Sequence, residues 1–291
     1  MKLSFFYIAL CTLLFASCKE KEIADVPGCM DPNAANYDPA ATIDDGSCES
    51  PQHQQNSLII DFTGTWCDRC GSSGTPKFTE IYSINRHLVI PMEVHIGNDP
   101  MRASTAEYEE FEYIYRPDSN GTVLTPMFAE AGYYNKPARR IYGLKEESVS
   151  YMTGWISETT IQPPVANTWV DAEVRNGRIF ITTKTKYFKA AEGKQYLAVY
   201  ILEDGIVYPQ EGASTEQVHN HVFRRAVTKV SGDQFTAAPG VASVHEVNWN
   251  DVGIHPDWNL DNIYLVTVIY QENPDGPRPL IVNASRHPIK N

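Results

Sequence analysis

The chain has 291 residues, of which 42% are apolar, 11% aromatic and 21% charged; this is core enough for two ordinary domains and excludes wholesale disorder or a collagen-like repeat. Its 24 Lys and Arg against 36 Asp and Glu leave a net charge of −12, so the surface repels the phosphate backbone and nucleic acid is excluded as a partner. Nowhere is there a run of about 18 to 20 apolar residues, so no bilayer-spanning helix is expected.

Lys2 followed by an apolar block from Phe5 to Ala16, broken only by Thr12, has the order of a secretory signal. The next run, Phe15-Ala16-Ser17-Cys18, resembles a bacterial lipobox. It predicts cleavage of residues 1–17 and acylation of Cys18, with several acyl chains giving a firm membrane anchor. Residues 18–27, including Lys19-Glu20-Lys21-Glu22, read as a solvated tether.

With Cys11 in the signal and Cys18 acylated, four cysteines remain: Cys29, Cys48, Cys67 and Cys70. Four cysteines allow three pairings, and the C-x-x-C of the last two makes Cys29 with Cys48 and Cys67 with Cys70 the economical one. Residues 28–49 are almost all turn formers with little to bury, so this segment needs a disulfide between Cys29 and Cys48 to order it. It resembles a short cysteine-bounded module that recurs in secreted and surface proteins of some bacteria. Asp31, Asp38, Asp44 and Asp45 are candidate oxygen donors to a calcium ion, at a spacing unlike the EF-hand; the plainer reading is a solvated acidic loop with no cofactor.

After a polar linker, Leu58–Phe62 reads as a buried strand, and Thr75–His87 as a helix with Pro76 at its start. A second buried strand is expected over Leu88–Ile96 and a helix over Ala103–Tyr115. A break follows at 118–121, another helical turn over Met127–Tyr133, and a last helix around Val149, Met152 and Ile156 that Pro163-Pro164 ends. Strand, helix, strand, helix is an α/β signature, placing an α/β domain over 50–162. Beyond it, two strand runs flank Asn176-Gly177, a strong hairpin signal, and further runs lie at Tyr196–Leu202, Val218–Val230, Val241–Val247, Ile263–Tyr270 and Leu280–Ala284. About seven strands without a helix predict a β-sandwich over 163–291.

A C-x-x-C between a buried strand and a helix, in an exported chain, is the signal of a thioredoxin-like redox turn. Cys67 is the candidate attacking thiolate and Cys70 the resolving cysteine. Leu58–Cys67 resembles the thioredoxin strand-to-site run, with Trp66 directly before the first cysteine, and the resemblance implies for Asp61 a buried carboxylate that relays the proton on Cys70. Such folds place a cis-proline loop against the disulfide; Pro137 is the first candidate and Pro126 the second. Zinc is the competing reading, with His219 and His221 expected on one face of a strand, but no second C-x-x-C completes a ligand set. Gly71 and Gly74, directly after Cys70, weigh against helix there and so against activation of Cys67 by a helix N-terminus.

Asp61-Phe62-Thr63-Gly64-Thr65-Trp66-Cys67-Asp68-Arg69-Cys70, together with Leu202–Gln210 and Val218–Arg224, resembles the two signatures of the twenty-eight-kilodalton outer-membrane lipoprotein family. The resemblance covers about residues 56–285. It implies a thioredoxin-like α/β domain followed by an immunoglobulin-like sandwich, lipid-anchored to the outer membrane through Cys18 on its periplasmic or surface face. Two functions are then open. One is a thiol-disulfide oxidoreductase of the cell envelope acting on a protein thiol substrate; the other is a non-catalytic surface lipoprotein whose C-x-x-C is structural.

Overall fold

The computed structural model describes residues 25–31, 34, 36–116, 123–133, 136–214 and 216–290. The expected signal sequence, the expected acylation site Cys18, most of the expected tether and the break expected at 118–121 lie outside these residues. Residues up to Cys48 and from Glu49 onward form two compact units. Among the described residues no helix is long and apolar enough to cross a membrane.

In the first unit β1 (Pro27–Gly28) and β2 (Ile43–Asp44) pair over only two residues, too little to order a chain alone. The Cys29–Cys48 disulfide closes the segment, as expected. Asp38, Asp44 and Asp45 each accept a backbone N–H from two residues ahead. These Asx turns spend part of each carboxylate on the module's own loops.

The second unit begins with β3 (Ser57–Thr63), which is buried at every position and pairs in parallel register with β4 (Val89–His95). On its other side β3 pairs antiparallel with β5 (Met127–Ala131), and β5 with β6 (Arg139–Tyr142). A π-helical turn, Cys70–Gly74, runs into α1 (Thr75–Asn85); α2 (Thr105–Tyr115) follows β4 and α3 (Ser148–Thr160) follows β6. Ser104 and Glu107 start α2 with a reciprocal capping box, satisfying two otherwise orphaned N–H groups. Ile59, Phe78, Ile81, Phe128 and Met152 fill the face that α1 and α3 cover; Leu58, Ile60 and Phe62 turn the other way, toward Phe111 and Tyr115 of α2. The helical turn expected at Met127–Tyr133 is instead β5, because that segment fills the place beside the buried strand β3. β6 carried no signal at all.

The hairpin of β7 (Ala166–Arg175) and β8 (Arg178–Tyr187) turns at Asn176 and Gly177 with φ of 53° and 72°, the left-handed pair such a tight turn demands. Then come β9 (Lys194–Glu203), β10 (Ile206–Tyr208), β11 (Gln217–His219), β12 (Val222–Ala226), β13 (Asp233–Ala237), β14 (Val244–Gly253), β15 (Ile263–Gln271) and β16 (Leu280–Pro288). A three-stranded sheet, β14-β8-β7, packs Val170, Ile179 and Ile181 onto Leu197, Val199, Leu265 and Val282 of β9, β15 and β16.

The second sheet does not stop at the boundary expected near residue 162. It runs β16-β15-β9-β12-β4-β3-β5-β6, with β13 added to β9. The join is β12 on β4, where Val222 pairs with Glu93 and the Glu93 N–H donates to His221 O at 2.8 Å. A buried strand such as β4 cannot leave its outer edge unpaired, and the C-terminal half supplies the partner. The Val218–Val230 run is broken at Asn220-His221, where His221 has φ of 61° and the chain turns from β11 into β12.

Candidate functional site at the C-x-x-C turn

β3 delivers the chain through Gly64, Thr65 and Trp66 to Cys67, which is disulfide-bonded to Cys70. Helical backbone starts at Asp68 and continues through the π turn into α1 without a break. Cys67 therefore stands at the positive end of a helix, and the Cys70 N–H donates to its Sγ at 3.1 Å. The two glycines do not delay the helix. A Cβ on Gly71 would stand 2.1 Å from Glu211 O, and one on Gly74 2.6 Å from Pro126 Cβ; both positions are glycine because other chain segments press against them. Cys67 keeps 7% of its surface exposed and Cys70 none, while Trp66 is half exposed with its Nε1 donating to Ile96 O.

The proline at the turn is Pro126, in a cis peptide bond after Thr125 and directly before β5. This corrects the first expectation. Pro137 is exposed and precedes β6, one strand further out.

Asp61 lies on the face of β3 shared with Ile59, opposite Glu93 of β4. It is fully buried, and among the described residues neither carboxylate oxygen has a hydrogen-bond partner. Burial, and then the Glu93 charge, push its pKa well above the ordinary carboxylate range, opposed in part by His95. Asp99, just after β4, accepts the Thr65 N–H and Oγ1 and the Met101 N–H, and its Oδ1 lies 3.1 Å from His95 Nδ1. Burial works against a charged His95, yet Asp99 and Glu93 raise its pKa to about 9. Asp99 itself would rise with burial but is drawn down to about 2 by His95 and its N–H donors.

From above, the loop after β10 closes over the turn. Gln210 Nε2 donates to Gly64 O and Cys67 O, both at 3.1 Å, and the Glu211 N–H donates to Thr65 O at 2.8 Å. A Cβ on Gly212 would meet Asp68 O at 1.9 Å. In the sequence Tyr208-Pro209-Gln210 stands only within a family signature, with no role attached. Glu93, His95 and Asp99 carry no local signal; theirs exists only in the strand register that puts Glu93 beside Asp61.

His219 and His221 do not share a strand face. His219 ends β11 and meets His95 edge to face, ring centroids 5.5 Å apart, whereas His221, beyond the turn, places Nδ1 2.9 Å from the Tyr264 hydroxyl and 3.1 Å from Asp204. All four described cysteines are in disulfides, so none serves as a zinc thiolate.

Residues 165–286 match the model of the family described as outer membrane protein Omp28. The fold is similar to that of HBP35 of Porphyromonas gingivalis, with a TM-score of 0.64 and 14% identity over 82% of this chain and 77% of that chain. The capsular polysaccharide assembling protein CapF from Staphylococcus aureus, 12% identical over 79% of this chain and 70% of that one, gives a TM-score of only 0.10. Among curated proteins none matches. The family resemblance read from the sequence is thus found again over the C-terminal half.

Proposed function

We propose that the protein is an outer-membrane lipoprotein, anchored through acylated Cys18, that carries out thiol-disulfide exchange in the cell envelope at Cys67 and Cys70. The Omp28 match supports the outer-membrane location. The order β4-β3-β5-β6, with β3 and β4 parallel and the other two pairings antiparallel, supports a thioredoxin-like reading of residues 50–162. The sheet stacked on β9, β15 and β16 supports an immunoglobulin-like sandwich over 163–291. A likeness of fold carries no reaction by itself. The observation that carries the reaction is Asp61: a fully buried carboxylate without a hydrogen-bond partner among the described residues, on the strand that leads into the C-x-x-C turn. A stranded carboxylate costs stability, and a proton-transfer role is a reason to keep one.

In the reduced protein the Cys67 thiolate attacks one sulfur of a substrate disulfide, forming a mixed disulfide and releasing the first substrate thiolate. Cys70 then gives its proton to the Asp61 carboxylate and attacks Cys67 Sγ. The second substrate thiolate leaves, and two electrons have passed from the Cys67/Cys70 pair to the substrate. The Cys67 thiol should titrate below the free-cysteine value of about 8.5. Cys70→Ser should trap mixed disulfides that Cys67→Ser does not, and Asp61→Asn should slow resolution more than attack. A second reading, a surface protein with a structural C-x-x-C, draws on the Gln210 loop that covers the turn. Slow alkylation and a reduction potential below about −300 mV would decide for it.

A further inference from the structure

The geometry points to a zinc-class divalent metal site formed by Glu93, His95 and His219, beneath the C-x-x-C turn and separate from its sulfur chemistry. Among the described residues, these three buried side chains bring one ligand atom each to within 4.8 Å of the others. Two imidazoles and one carboxylate form a donor set that suits zinc, cobalt or iron(II), and suits calcium or magnesium poorly. Glu93 Oε2 is already 3.6 Å from His95 Nε2. Ligand atoms about 2 Å from one tetrahedral ion stand roughly 3.3 to 3.5 Å apart, so closing the widest separation asks for at most about 1.5 Å of movement.

The surroundings are built as a metal site builds them. Histidines that bind a metal through one nitrogen commonly donate the other N–H to a carboxylate or a carbonyl, which fixes ring and tautomer. His95 Nδ1 faces Asp99 at 3.1 Å, so its Nε2 is the atom turned to Glu93. Asp99 is itself held by Thr65 and Met101. His219 Nε2 lies 3.3 Å from Tyr208 O, and in the tautomer that donates there Nδ1 is the nitrogen that would bind.

The consequence is mechanical. His219 ends the β10–β11 hairpin, and the loop inside that hairpin carries Gln210 onto the turn. An ion shared by β4 and β11 would pin this cover in place.

The test uses the whole chain, oxidised, stripped with a chelator and dialysed against zinc chloride. About one zinc per chain is expected, with X-ray absorption showing imidazole and oxygen neighbours and no sulfur. Zinc well below stoichiometric, or sulfur in the first shell, would overturn the assignment. His219→Ala should lower affinity more than 100-fold, and Asp99→Asn by about 10- to 100-fold. Unchanged affinity in a His219→Ala protein with native circular dichroism would mean adventitious binding elsewhere and also overturn it. Should that variant not fold, the stoichiometry and absorption spectrum of the unaltered protein decide alone.

Discussion

Glu130 of β5 is a buried carboxylate whose partners come from three other elements. Ser57 Oγ, Thr159 Oγ1 and Arg139 Nε donate to it at 2.7, 2.6 and 2.8 Å. Burial raises its pKa, against the opposing pull of Thr159, Arg139 and Ser57. Taking away the cation strands the charge, so Arg139→Met should destabilise the protein by about 3 kcal/mol in urea unfolding, and adding Glu130→Gln should recover much of the loss. Asp204 behaves in the opposite sense. Burial would lift its pKa, yet hydrogen bonds from His221 and the Arg286 charge draw it from 3.8 to about 2. As pH falls, the unfolded chain takes this proton first, so the stability Asp204 contributes is complete above about pH 4 and is lost toward about pH 2. Asp204 is partly exposed and solvent screens its partners, so Asp204→Asn should cost about 1 kcal/mol at neutral pH and almost nothing at pH 2, as read from denaturant midpoints across that range.

At the scale of elements, the contact between the π turn and the loop after β10 is made backbone to backbone. Gly71→Ala drives a Cβ into Glu211 O, and a carbonyl in a tight loop cannot rotate aside as a side chain does. We expect a loss of roughly 2 kcal/mol in thermal unfolding, with faster alkylation of reduced Cys67 as the loop is pushed off. From sequence alone these glycines count against helix, since a propensity argument has no knowledge of a segment some 140 residues away. The same limit separates what the sequence reveals from what it hides. β3, β4, α1, α2, α3 and the Asn176-Gly177 hairpin follow from periodicity and turn chemistry, which are local, and so do Cys67, Cys70 and Asp61. Met-Phe-Ala-Glu-Ala of β5 favours helix locally and becomes strand only because β3 and β6 flank it. Glu93, His95 and Asp99 are unremarkable singly; register and a loop bring them together.

For the molecule as a whole, residues 49–291 form one compact unit whose second sheet runs through β12 and β4. Gln55 reinforces the join, donating to both Gly132 O and Val282 O. Fragments cut at residue 162 should each lack sharp near-ultraviolet circular dichroism and slow amide exchange, and should regain both when mixed. Two independently folded fragments would contradict a shared sheet. The sequence pattern changes at 162 because helices stop there, and a change of composition says nothing about which edges later meet. The order of the chain decides which strand arrives first. On the proposed export route the N-terminal half enters the envelope first, so β4 arrives some 130 residues ahead of β12. Throughout that interval a hydrophobic strand offers a bare row of amides and carbonyls to any neighbouring chain. The arriving chain thus depends on whatever escorts it until β12 follows, and slowed export should raise its yield of aggregate before any property of the finished molecule changes.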